Sequence, residues 1–440
     1  MTKHFPASLM VVAMLIAGSF ANDWSNWRGP NYNGTADATN LPTNFSQDKG
    51  VKWSLQMPGP SAATPIIVGD RVFVSSTDVA REQLIAMCVD RNNGKVLWKH
   101  DVHSGYNAGR GDRLRFDSRS TYASPSPVCD GKTVVFFYGN GDLIAFTVEG
   151  KKLWSTNLQT DFGPFTFQWT FSASPTLYDG SLFLQILRRD EPVHGIGTAD
   201  LPSYVVAMNP TTGKVLWKHE RPSPAQKESL ESFATPIPYE ANGRKEILIV
   251  GGDVLTGHDP KTGKELWRWG TWNPEHREAW WRLVPSVVVG DGVALVCAPK
   301  KAPVYAVNLE GKKQLAWKSE TKGDITSDVP TPAFKNGNFY VLSDVRNAIS
   351  SVNAKTGKVN WTTEFPRPHR FKLRTSPTIA DNKIYFMDHG GYVTIMDLNG
   401  KVLGKNAMGN DGDDQIRSSV AVAYNNLFIR TNSTLFCIGK

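Results

Sequence analysis

The sequence predicts an all-β fold, a single eight-bladed β-propeller of four-stranded antiparallel blades whose last blade is closed by a strand from near the N-terminus. Three recurring features carry this. A hexapeptide with Gly-Lys and a terminal Trp returns at intervals of about 50 residues. It reads TGKVLW at 212–217, NGKVLW at 93–98, EGKKLW at 149–154, TGKELW at 262–267, EGKKQLAW at 310–317 and TGKVNW at 356–361, with worn copies DKGVKW at 48–53 and NGKVLG at 399–404. A Ser/Thr-Pro step, or a relic of it, also occurs eight times, at 63–65, 123–125, 173–175, 234–236, 284–286, 330–332, 375–377 and 417–419. Each is followed by a two-residue turn, the set being Gly69-Asp70, Asp130-Gly131, Asp179-Gly180, Asn242-Gly243, Asp291-Gly292, Asn336-Gly337, Asp381-Asn382 and Asn425-Asn426. Such pairs accept the positive φ of tight hairpins.

In chain order, residues 1–21 read as a secretory signal peptide, with Lys3, an apolar run from Leu9 to Ala17, and Ser19-Phe20-Ala21 before Asn22. The run is about half the ~20 residues a membrane span needs. No Cys follows it before Cys88, so no lipobox is read, and the expected location is periplasmic or extracellular. Residues 22–50 read as an extended arm on the body, pinned by Trp24 and Trp27, and 51–440 as the propeller. The last repeat stops after three strands. VKWSLQ at 51–56 is therefore expected to supply its fourth and shut the ring, leaving no exposed edge between the chain's ends.

The net charge of +8 is a mild excess, with Lys and Arg scattered through turns, which argues against nucleic acid as partner. Cys88, Cys129, Cys297 and Cys437 show no C-x-x-C spacing and read as small buried hydrophobes. No H-E-x-x-H, G-x-S-x-G or phosphate loop is present. Asn410-Asp411-Gly412-Asp413-Asp414 departs from calcium-loop spacing and reads as a solvated acidic loop, so no metal site is expected. His276, flanked by Glu275 and Glu278, has no nucleophile near it in sequence.

The repeat resembles the pyrroloquinoline quinone-type repeat propellers, whose signature of a small residue, Asp or Asn, Thr-Gly-Lys and Trp is best seen from Ala207 and Asn209 through Thr212-Gly213-Lys214 to Trp217. The resemblance covers Val51 to Lys440. It implies that Trp53, Trp98, Trp154, Trp217, Trp267, Trp317 and Trp361 each dock on the neighbouring blade as structural glue. For the redox branch it implies quinone between a Trp floor and a disulfide of adjacent cysteines, with calcium. This sequence has no adjacent cysteine pair. It is more similar to the non-catalytic branch that serves as a scaffold in outer-membrane β-barrel assembly. The leading expectation is thus an exported, monomeric, non-catalytic propeller binding a protein partner or another ligand, with pyrroloquinoline quinone (PQQ) plus calcium as the alternative cofactor reading and a glycan-binding module as the third.

The resemblance also puts the long connections between a Trp strand and the next blade on one face, the usual binding side of a repeat protein. Three residues before each Pro, or its equivalent, the chain is expected near the central funnel. Among these positions Tyr122, Phe233, Arg282, Arg374 and Arg417 are candidate ligand residues, joined by Trp169, Trp280 and Trp281 from the same loops. The arginines are open to two readings. They pair with Asp328, Asp411, Asp413 and Asp414, or they form an anion or carboxylate site. The tryptophans either stack on a flat ligand or a sugar, or wedge loops together.

Overall fold

A computed structural model describes residues 22–104, 121–193, 195–270, 272–321, 323, 325–366 and 371–440. The export segment 1–21 and the basic loop at 107–120 lie outside the described residues. The described strands form eight four-stranded antiparallel sheets, seven of them built from consecutive strands. The eighth has the order Val51–Gln56, Thr434–Ile438, Asn426–Arg430, Ala421–Ala423, with Trp53 opposite Cys437. The ring is closed by the N-terminal strand, as the incomplete last repeat requires.

The rim explains the hexapeptide. In each Trp strand the ladder slips by one residue next to the Trp, or its Gly404 substitute, and the residue opposite is usually small: Cys88 for Trp98, Ala145 for Trp154, Ala207 for Trp217, Ser351 for Trp361. Each indole then reaches the following blade. Trp98 Nε1 donates to Val148 O (3.0 Å), Trp154 to Pro210 O (2.7 Å), Trp217 to Pro260 O (3.0 Å), Trp317 to Ala354 O (2.7 Å), Trp361 to Leu398 O (2.9 Å), and Trp53 to Arg91 O (2.7 Å). The hexapeptide Gly of that next blade lies flat beneath the ring. At Gly213, with φ +71°, a Cβ would come within 2.6 Å of Trp154, so the motif needs glycine both for its turn and for the indole.

Two places break the pattern. Trp267 donates to the Glu246 carboxylate of its own blade (2.6 Å), because EGKKQLAW is two residues longer and carries Gly311 away from it. At Gly404 the arm takes over. Asn406 Nδ2 donates to Thr43 O and Phe45 N to Asn406 Oδ1, and a Cβ on Gly404 would meet Thr43 O at 2.5 Å. Phe45, buried, faces Gly50 in the place of the missing indole.

The axis carries a second ring. Thr64 N donates to Ser126 Oγ (2.9 Å), Ser126 N to Ser174 Oγ (2.9 Å), Ser174 N to Thr235 Oγ1 (3.1 Å) and Thr235 N to Ser286 Oγ (2.8 Å). Ser286 N donates to Thr331 Oγ1 (2.9 Å), Thr331 N to Ser376 Oγ (3.0 Å), Ser376 N to Ser419 Oγ (3.0 Å), and Ser419 N returns to Thr64 Oγ1 (3.2 Å). Every blade gives one hydroxyl and one amide to this closed girdle. It corrects the sequence register in blade two, where Ser126-Pro127 and not Ser124-Pro125 is the repeating step. The last turn is likewise shifted by one, the positive φ values falling at Tyr424 (49°) and Asn425 (57°) rather than at Asn425-Asn426.

The arm from Asn22 runs across the hairpin-turn end of the axis. Trp24 bridges to Ile67, Cys129 N donates to Ser25 O, Arg28 Nη2 donates to Pro332 O and Pro377 O (both 2.9 Å), and Tyr32 Oη donates to Leu177 O (2.6 Å). Trp27 is thereby held on the central channel.

Candidate functional site

The residues two before each girdle hydroxyl form the next ring toward the long-connection face: Ala62, Ser124, Ser172, Phe233, Val284, Val329, Arg374 and Arg417. The girdle is uniform and this ring is not. Phe233, Arg374 and Arg417 fall on it, whereas its positions in blades two and five are Ser124 and Val284, with Tyr122 and Arg282 two residues upstream. Arg282 still reaches the funnel, lining with Trp169, Phe233, Arg374 and Arg417 a cavity of about 160 Å³. Tyr122 does not; it lines an aromatic cleft with Phe165, Phe167 and Trp169. Trp280 is 48% exposed on a groove beside the funnel, shared with Trp169, Arg189, Glu228, Arg282 and Lys300, and Arg189 and Lys227 approach its ring. Trp281 instead packs on the core between blades four and five, its amide donating to Ser229 Oγ. Trp169 is tied down by its Nε1 donating to Glu228 Oε1 (3.1 Å).

The three funnel arginines are compensated unequally. Arg282 forks onto both oxygens of Asp328, at 3.0 and 2.9 Å, and the Lys300 amide adds a third donor at 2.7 Å. Burial works against the Asp328 carboxylate, but Arg282 overrides it and holds the pKa below the usual range. The same pair, again against burial, raises that of Arg282. Arg374 Nε is 3.4 Å from Asp344, a carboxylate that also accepts the Asp328 amide. Burial, and then its neighbour Asp328, raise the Asp344 pKa despite Arg374. Arg417 Nη2 donates to Gln415 Oε1 (3.3 Å). Asp413 lies elsewhere, accepting from Ser433 and Asn410 beside the closing strand. Beside Arg374 and Arg417 sits buried His389. Burial first, then repulsion from Arg417, Arg374 and Lys372, push its pKa down to about 3, and its Nε2 makes no hydrogen bond among the described residues. Burial keeps the imidazole neutral, and the neighbouring cations add to that, making this corner of the funnel electropositive.

Asp344 and His389 had no signal in the sequence, being single titratable residues at the ends of inner strands. Together the funnel presents guanidinium donors above an aromatic wall, a surface suited to planar or branched oxyanions. A quinone polycarboxylate fits those donors. Its usual surroundings do not: all four cysteines are free and no two are adjacent in sequence, and no group of three or more His, Cys, Asp or Glu able to hold a metal occurs among the described residues. No redox step is therefore derived from these side chains. No helix among the described residues is long and apolar enough to cross a membrane.

Comparison with known proteins gives the following. The family model described as outer membrane protein assembly factor BamB matches residues 43–183, 82–320 and 250–439. Two sequences named polyvinylalcohol dehydrogenase are similar: one from Pseudomonas sp, 26% identical over 48% of this chain and 30% of its own length, and one from Sphingopyxis sp. (strain 113P3), 28% identical over 78% of this chain and 59% of its own. The chain thus spans less than two thirds of either. Among solved structures, BamB from Moraxella catarrhalis superposes with a TM-score of 0.61 at 14% identity, covering 91% of this chain and 100% of that one. Quinohemoprotein alcohol dehydrogenase from Comamonas testosteroni superposes at 0.63 and 13%, covering 96% and 82%. At these identities the structural likeness speaks for the fold alone.

Proposed function

The chain belongs to the PQQ-type repeat family whose model is described as outer membrane protein assembly factor BamB, and within it we propose a non-catalytic propeller that binds a carboxylate-bearing ligand or acidic segment of a partner protein in the arginine-lined funnel. The observation that carries this is the convergence of Arg282, Arg374 and Arg417 on one cavity, where Asp328 and Asp344 are already engaged by Arg282 and Arg374. Guanidinium forks select oxyanions, and the Trp169 and Phe233 rings supply apolar area beside them. An exported location goes with this reading, supported by the signal-like residues 1–21.

A second reading, a PQQ-dependent oxidoreductase, is favoured by the names of the two similar sequences. PQQ is itself a planar tricarboxylate, so one titration separates the two. The purified chain is mixed with PQQ, with and without calcium, and binding is followed by tryptophan quenching while dye reduction is followed with polyvinyl alcohol or simple alcohols as donors. The binding reading expects saturable quenching and no dye reduction. Calcium-dependent turnover would replace it with the oxidoreductase reading, and no quenching at all would remove the funnel site.

A further inference from the structure

Below the funnel, between Arg374 and Arg417 on one side and Trp27 of the arm on the other, the channel holds a chamber of about 120 Å³, roughly the volume share of four waters. Six girdle residues line it: Ser126, Ser174, Thr235, Thr331, Ser376 and Ser419. Each of their hydroxyl oxygens accepts an amide N–H from the preceding blade, and none donates to a described residue. One lone pair is thus spent on the ring, while the O–H remains to be presented, polarised by the amide it receives. Among the described residues no carboxylate lines the chamber, whereas the guanidinium groups of Arg374 and Arg417 do, the Nε of Arg374 facing Asp344 at 3.4 Å.

We propose that this chamber binds a small tetrahedral oxyanion of the phosphate or sulfate class. Hydroxyl donors converge sideways from the girdle and guanidinium donors from above, so an anion with several acceptor oxygens is matched from two directions. The arm supplies the floor through Trp27, whose indole is a built-in reporter. The site shares Arg374 and Arg417 with the funnel but does not rest on the reading given for the funnel mouth, because Trp169 and Arg282 line the mouth and not the chamber.

The test is calorimetric titration of the whole chain with inorganic phosphate and, separately, sulfate at fixed ionic strength, with thermal melts alongside. One saturable equivalent is expected, with Tm rising with the logarithm of anion concentration. Arg417→Gln should weaken binding about tenfold, the loss of one charge-assisted contact. Thr331→Val, which keeps shape and removes the hydroxyl, should weaken it several-fold, and Thr331→Ser should restore it. Trp169→Phe should bind as the parent does. A folded chain with no saturable uptake overturns the proposal. So does uptake indifferent to Arg417→Gln, or uptake lost in Trp169→Phe, which would put the anion in the mouth. If Thr331→Val fails to fold, the Arg417→Gln and Trp169→Phe results decide alone.

Discussion

Two rings of eight residues lie only two positions apart along each repeat, and they differ in every respect that matters for function. The girdle hydroxyls, Thr64 through Ser419, are chemically alike because each must accept the same amide from the same neighbour. The ring above them runs Ala, Ser, Ser, Phe, Val, Val, Arg, Arg, because no hydrogen bond common to all blades constrains it. What recurs is what blades owe one another. What varies is free to meet a ligand, and the arginines gathered on one side of the funnel are the strongest instance.

That contrast can be strained from the scaffold side first. Trp154→Ala removes an indole that covers Gly213 and donates to Pro210 O, and should cost about 3 to 5 kcal/mol in denaturant unfolding. Trp267→Ala should cost less, since its blade-to-blade contact is already displaced. Arg282→Ala should cost about 3 kcal/mol by leaving Asp328 buried beside Asp344 without its counter-ion, and Arg282→Ala/Asp328→Asn should recover most of it. A loss below about 1 kcal/mol would mean that Asp328 does not hold Arg282 in place.

His389 gives a pH signature at the funnel. Its folded pKa, about 3, lies below the ordinary value of 6.5, so the folded chain binds fewer protons than the unfolded one between these limits. Stability is therefore full above about pH 6.5 and falls as pH drops, by about 2 to 3 kcal/mol from this residue at pH 4.5. His258, lowered to about 4 chiefly by burial, adds a fall in the same window. His389→Gln should flatten the difference between melts at pH 7 and pH 4.5; an unchanged slope would contradict the burial and charged surroundings assigned to it. Thr331→Val should cost about 1 to 3 kcal/mol by orphaning the Ser286 amide, with Thr331→Ser nearly neutral.

The fold was legible because its demands repeat. The Trp spacing and the incomplete last blade follow from the sequence, and the departure at Trp267 coincides with the two extra residues of EGKKQLAW. The substitution of Phe45 for a missing Trp was not visible, since the arm has no period to read it against. The funnel was legible only in part. Blade two offers two Ser-Pro steps and blade five a Ser with no following Pro, so the register there rests on a hydrogen bond between blades that no local pattern encodes, and Tyr122 and Arg282 were placed two residues off the ring. Asp344 and His389 become noteworthy only when a neighbouring blade buries them beside cations.

The most direct measurement pairs affinity with stability in a single variant of the varied ring, Arg417→Gln. Its guanidinium lines the chamber and the funnel, and its ring position is not one of the girdle hydroxyls, so the Tm should stay within about a degree of the parent. The affinity for PQQ, used as a planar tricarboxylate in quenching titrations, should meanwhile fall about tenfold. Equal affinity with a lowered Tm would contradict the account, making Arg417 part of the scaffold and not of the ligand site.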